Sequence, residues 1–324
     1  MLAETKRSVT VKAPASIANL GPGFDVLALA LADIHDYITV SLLPNEDRVI
    51  VVSRGFNVPS GEANAASAVV RCFIERFGPF KHGILVDVSK GIPPAMGLGS
   101  SGATSAGTAY AISELLELEL GPVDLLRLAG CGEKHVAGAV HYDNIAASLF
   151  GGVVVIDAIK LQVHRYVPSD KFYIAVIAPR LPELIGIKKT EYARLLLPKE
   201  VDLATHVMQT SSLAKLLYAL FTNNLELLGE AISTDFVVEP YRLKIIPYYR
   251  ELKKLALDEG ALGFNICGAG PSVFSIYRSR DDAVSVGRDL QGFLSEREIE
   301  SHLIVTQVSE KGVELSGDVS WREG

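Results

Sequence analysis

The chain has 324 residues, 48% hydrophobic and 21% charged, with a net charge of −7. Such a composition is ordinary for a globular protein, and the length suits two domains of roughly 150 residues each. The acidic balance speaks against a nucleic-acid partner, and no apolar run approaches the ~18 residues of a membrane span. The opening MLAETKRSVTV lacks a signal-peptide core. Cys72, Cys131 and Cys267 are widely spaced without a metal pattern, and are expected as small buried thiols in a reducing cytosol.

In chain order, Val9 and Val11 alternate with polar residues, as in a half-buried strand. Within APASIANLGPGFDVLALAL, Gly21-Pro22-Gly23 forces a tight turn, and Val26 to Leu31 reads as a buried strand or a short helix. Asn19 and Asp25 flank that turn. Two readings stand side by side: each bonds its own backbone, or both face a ligand. Strands are predicted over Tyr37 to Leu43 and Val49 to Val52. A helix is predicted over Asn64 to Phe77, with Asn64 near its N-cap.

A strand over Ile84 to Val88 then delivers GIPPAMGLGSSGATSAG, Gly91 to Gly107, which leads into a helix over Ser101 to Leu118. A glycine-rich loop feeding a helix N-terminus leaves backbone N–H groups free beside a positive dipole end, which favours a phosphate. Gly97-Leu98-Gly99-Ser100-Ser101-Gly102 satisfies G-x-G-x-x-G, but Ile92-Pro93-Pro94 separates it from the strand and no acidic strand end follows the helix. No Gly-Lys-Ser/Thr is present, so a Walker A loop is excluded. Ala103, Ala106, Gly107 and Ala109 let the following helix approach its neighbours closely.

A second helix is predicted from Asp124 to about Ala139 and carries Glu133, which by itself reads as a solvated surface group. His141, Asp143 and Asn144 follow, on a loop entering the Gly151-Gly152 turn or as a polar cluster between apolar stretches. Strands at Val153 to Ile156, Leu161 to Tyr166 and Phe172 to Ala178 come next, with a domain boundary between Arg165 and Asp170. From Phe172 onward the elements read β-α-β-β-α-β, a ferredoxin-like order. Helices at Ala204 to Phe221, Leu225 to Phe236 and Ile245 to Glu259 extend the first crossover. Arg194 and Arg242 stand on expected loops, and a planar guanidinium is a natural clamp for a carboxylate. NICGAGPSVFSI, Asn265 to Ile276, reads as a glycine-rich hairpin. Val313 and Leu315 hint at a short edge strand.

The run PPxxGLGSSxA, Pro93 to Ala103, resembles the phosphate loop of the GHMP small-molecule kinases. PASIANLGPGFD, HYDN and EPYR together are similar to the homoserine kinases within that superfamily. The resemblance covers about Val9 to Thr306. It departs at Pro93-Pro94-Ala95-Met96, which is bulkier than usual and alters the loop's shape without removing its amides. The resemblance implies an α+β, two-domain GHMP kinase fold: an N-terminal ribosomal-protein-S5-like domain (1–168) and a C-terminal ferredoxin-like βαββαβ domain (169–324). It implies a cytoplasmic kinase that uses ATP and Mg²⁺ to phosphorylate L-homoserine for threonine biosynthesis, with a homodimer by analogy. Asn64 would lie near the adenine, and Pro93, Pro94, Ala95, Met96, Gly97, Leu98, Gly99, Ser100, Ser101, Gly102 and Ala103 would cradle the phosphates. Ser101 and Glu133 would hold Mg²⁺. Asn19, Asp25, His141 and Asp143 would orient the amino acid, with Arg194 and Arg242 on its carboxylate. Asp143-Asn144 matches an Asp-Asn pair whose Asp is proposed as a base in mevalonate kinase. Shikimate or mevalonate as substrate, or a non-catalytic binding module of the same fold, remain as alternatives.

Overall fold

The computed structural model describes residues 8–44, 46–78, 82–181 and 189–317; the opening segment read for a leader therefore falls almost wholly outside the described residues. The first half of the chain runs β1 (Ser8–Ala18), β2 (Leu27–Leu43), β3 (Val49–Arg54), α1 (Ala65–Phe77), β4 (Gly83–Ser89), α2 (Ser100–Leu115), α3 (Pro122–Ala137), α4 (Tyr142–Phe150), β5 (Val153–Asp157) and β6 (Gln162–Tyr166). The second half runs β7 (Tyr173–Pro179), α5 (Lys189–Leu195), α6 (Leu203–Phe221), α7 (Leu225–Ile232), α8 (Glu239–Arg242), α9 (Tyr249–Asp258), β8 (Gly263–Ile266), β9 (Val273–Tyr277), α10 (Arg280–Ser295), β10 (Ser301–Thr306) and β11 (Glu314–Leu315).

The first sheet has the order β11-β1-β2-β4-β3, with β5 on β2 and β6 on β5. The run from Val26 resolves as strand: β2 is long enough to pair β5 through its first residues and β4 through its last. Among the described residues only β3 and β4 pair in parallel, which is foreign to a doubly wound dinucleotide fold. β11 pairs β1, so the tail crosses back to the first sheet. Helix α2 is buried almost all round. A Cβ at Gly107 would press on Ile38 and Ala13, so the helix sits close on the sheet there.

The second sheet, β10-β7-β9-β8, is wholly antiparallel and has the predicted βαββαβ order. Its residues alternate between two cores, as strand periodicity requires. Ala175 and Ile177 pack with α9 and α10, while Ile174 and Val176 join the larger core that includes Leu216 and Leu220 of α6. No helix among the described residues is long and apolar enough to cross a membrane.

Three expectations need correction. Cys72 of α1 and Cys131 of α3 form a disulfide, and Cys267, outside that bond, is buried as expected. His141 is the N-cap of α4 and Asp143-Asn144 lie in its first turn, so this cluster is helical rather than a loop. Arg242 ends the short helix α8 and is buried, and Arg194 lies on α5; neither stands on an open loop.

Candidate active site

The glycine loop is fastened at both ends by one buried acid. Asp36 of β2 accepts from the Gly91 and Ile92 amides at 3.1 and 3.0 Å. Its other oxygen pairs with Lys90 Nζ and accepts from Thr104 Oγ1 at 3.1 Å. Lys90 in turn donates to the Ser100 carbonyl at 2.9 Å and to Thr104 Oγ1 at 3.0 Å. Burial pulls the Lys90 pKa down, and the Asp36 charge works against that pull. Gly97 (φ 76°) is obligatory, since a Cβ there would overlap the Cys267 carbonyl oxygen of the β8–β9 turn. Gly99, left-handed at φ 65°, caps α2 without a side chain, so the first turn of the helix presents its amides with no side-chain acceptor in place.

Ser101, in that first turn, donates to both carboxylate oxygens of Glu133 at 3.1 and 3.0 Å. Glu133 is only 5% exposed, not the solvated surface group its isolated position on a helix suggests. Gly132 beside it lets α3 close on α1 and α2, since a Cβ there would meet Ser105 and the Ala65 carbonyl. His141 Nδ1 lies 3.5 Å from Glu133. Burial pulls the His141 pKa down, but contact with Glu133 and the charges of Glu133 and Asp143 outweigh it, so the net shift is upward.

Asp143 is buried, and no cationic side chain among the described residues is bonded to it. Burial, then the charge of Asp25, push its pKa up to about 6, against its bond from the Asn144 amide and the His141 charge. Asn144 Oδ1 accepts from Ser16 Oγ at 2.9 Å. Asp25 receives Arg194 Nη2 at 2.7 and 2.9 Å. Asn19 holds the turn itself: its Oδ1 accepts from the Asp25 amide at 3.2 Å and its Nδ2 donates to the Gly268 carbonyl at 3.3 Å. Arg242 Nη1 donates to the same carbonyl at 2.7 Å. Burial pushes Arg242 down to about 10, which leaves it charged at neutral pH, and its buried Nε has no hydrogen-bond partner among the described residues. Both guanidinium groups lie over the Phe24 ring, 5.3 Å (Arg194) and 5.2 Å (Arg242) from its centroid.

These groups meet in one cleft of about 360 Å³. Its wall includes Asn19, Asp25, Asn64, Pro94, Ala95, Gly97, Leu98, Gly99, Ser100, Ser101, Glu133, His141, Asp143, Asn144 and Arg242. Asn64 also caps α1, accepting from the Ala66 amide. Val58, Pro59, Ala65, Val136 and Ala137 give the wall apolar surface that suits a flat aromatic base, alongside the charged groups. Pro93, Met96, Gly102, Ala103 and Arg194 do not line it. Met96 packs on the core and Ala103 is fully buried, so their side chains face away from the cleft. Arg194 reaches its neighbourhood through Asp25 and Phe24.

The sequence reading missed Lys90, Asp36, Phe24 and Gly268. Phe24 and Gly268 lie inside motifs that were singled out, but nothing in their type marks a ligand site. Lys90 and Asp36 are 54 positions apart, and a lone lysine before a loop reads as surface.

Comparison with known proteins places this geometry in context. The GHMP kinases N terminal domain family matches residues 64–152, and the GHMP kinases C terminal family matches residues 216–296. The homoserine kinase of Thermoplasma volcanium is 37% identical over 283 residues, covering 87% of this chain and 88% of that protein. The homoserine kinase of Aeropyrum pernix is 38% identical over 287 residues, covering 86% and 90%. The crystal structure of homoserine kinase from Cytophaga hutchinsonii superposes with a TM-score of 0.88 at 32% identity, covering 98% of this chain and 99% of that one.

Proposed function

The chain belongs to the homoserine kinases of the GHMP kinase family, and we propose that this cleft sets ATP on the Gly97–Ser101 turn and L-homoserine among the charges opposite. The enzyme transfers the γ-phosphoryl group of ATP to the homoserine hydroxyl, forming O-phospho-L-homoserine, a step toward threonine. The observation that carries the assignment of roles is the gathering of Asp25, Asp143, Arg194 and Arg242, from both halves of the chain, beside the glycine loop.

The adenine lies against the apolar surface near Asn64. The phosphates rest on the amides of the loop and of the first turn of α2, where the helix dipole is positive. Ser101 and Glu133 offer one hydroxyl and one carboxylate, a donor set that suits Mg²⁺, which takes few protein oxygens beside nucleotide phosphates. Mg²⁺ held there would neutralise phosphate charge. Asp25 and Asp143 repel one another across the pocket, and an ammonium relieves both. Arg194 and Arg242 take the carboxylate. The hydroxyl so placed attacks the γ-phosphorus in line. A loose transition state needs mainly positioning and charge neutralisation, so no strong base is required of Asp143 or Asn144.

A cytoplasmic location follows from the use of ATP. A homodimer is supported by the outward face of α6, where Leu203, Val207, Tyr218 and Phe221 are exposed and the helix carries Lys215 as its one Lys, Arg, Asp or Glu.

The test is ADP release with Mg-ATP and L-homoserine, mevalonate or shikimate offered separately. Turnover specific to homoserine is expected. Preference for another alcohol would reassign the substrate, and ATP binding without ADP release from any of them would make the protein a binding module.

A further inference from the structure

The ring of Phe24 is the one group described above that touches both cations of the charged pocket. The Arg194 and Arg242 Cζ atoms lie 5.3 and 5.2 Å from its centroid, so they are no more than about 10.5 Å apart. Two like charges that close repel, and the repulsion lowers the Arg242 pKa alongside burial. The arginines come from different helices of the second half, α5 and α8, whereas the ring comes from the first half.

The backbone that bears that ring is held in place. The turn that bears it holds Asn19, Leu20, Gly21 and Asp25 at positive φ. Asn19 accepts from the Asp25 amide, and the Gly23 amide bonds the Asn19 carbonyl at 2.9 Å. A Cβ on Gly21 would overlap the Ile232 carbonyl oxygen at the end of α7, and Gln209 of α6 donates to the Pro22 carbonyl at 3.1 Å. The turn is therefore docked on the second half of the chain at two points beside the arginines.

Resting on the homoserine reading above, we propose that Phe24 is a positioning residue: its π face sets the spacing and tilt of the Arg194 and Arg242 guanidinium groups so that both address one substrate carboxylate. A cation over an aromatic face is attracted by the ring quadrupole, and burial of Arg242 strengthens that attraction. Leucine at this position keeps apolar bulk but offers no such face, whereas tyrosine keeps it.

The experiment compares wild type, Phe24→Leu and Phe24→Tyr by steady-state kinetics, by thermal denaturation, and by the ¹H–¹⁵N arginine Nε–H resonances of the ligand-free protein. Phe24→Leu is expected to raise the homoserine KM about tenfold with a smaller change in kcat and an unaltered ATP KM. Phe24→Tyr is expected to return within about threefold of wild type. Two arginine Nε–H signals displaced by ring current in wild type and Phe24→Tyr should move in Phe24→Leu. An unchanged homoserine KM in Phe24→Leu, an equal loss in both variants, or arginine signals indifferent to the ring would each overturn the proposal. Absence of homoserine turnover by the wild type would instead overturn the substrate reading, and the resonances would then judge Phe24 alone.

Discussion

Arg194 grips Asp25 across 169 positions of sequence, one Nη2 bonding both carboxylate oxygens at 2.7 and 2.9 Å. Both side chains are more than a third exposed, so the pair contributes little stability and is readily exchanged. On the proposed reading, a homoserine zwitterion would replace this pair, its ammonium going to Asp25 and its carboxylate to Arg194. A ligand with only one of these charges leaves the other partner unsatisfied. 4-Hydroxybutyrate and 3-aminopropan-1-ol should each lose about 100-fold or more in kcat/KM relative to homoserine. Comparable turnover of 4-hydroxybutyrate would remove Asp25 and Asp143 from ammonium recognition.

Glu133→Gln keeps the side chain's shape and its contact with Ser101 but removes a charge. If Ser101 and Glu133 hold Mg²⁺, kcat should fall by about 100-fold or more and half-maximal activity should require more Mg²⁺. A magnesium titration of wild type and variant, with far-UV circular dichroism to verify folding, makes the comparison. An unaltered magnesium dependence would assign the metal elsewhere.

Asp143 should make homoserine capture pH-dependent. With its pKa raised to about 6, it is ionised and ready for an ammonium above that pH, so kcat/KM for homoserine should rise through about pH 6. Stability runs the opposite way. The folded pKa exceeds the unfolded one, so between about pH 4 and 6 the folded state binds more protons and stability falls as pH rises. Asp143→Asn should therefore be less active yet melt higher than wild type at pH 8. That advantage should shrink as the pH is lowered from 6 to 4. A gap independent of pH would mean that Asp143 carries no such cost.

Lys90 and Asp36 test whether the loop is held from below. Lys90→Met leaves a buried carboxylate without its cation, which costs about 3–5 kcal/mol. It also removes one donor from the Ser100 carbonyl at the start of α2, leaving Thr104 Oγ1. Denaturant unfolding should register that loss, and the ATP KM should rise while the homoserine KM changes less. Wild-type stability and ATP KM in this variant would show that the loop keeps its shape unaided.

Much of the cleft was legible because its parts are local. Gly97 and Gly99 announce a backbone that only glycine adopts, and Asn64 announces a helix start. GPGF before Asp25 announces a turn that cannot be helix or strand. What escaped was non-local. The helical setting of Asp143 was hidden because His141 is a weak cap signal and the segment is short. The Cys72–Cys131 bond was hidden because its partners are 59 positions apart on two helices that meet only after folding.

By itself the sequence determined most of the elements, their order and the glycine corner before α2, since these depend on backbone preferences and side-chain periodicity within a few residues. The tertiary structure alone decided that Arg242 is buried, that Asp143 has a raised pKa, that Asp36 holds the loop and that Phe24 underlies two guanidinium groups. Each of those facts is an energy of desolvation or Coulomb interaction between groups distant along the chain, and such energies exist only once packing sets their separation and excludes water.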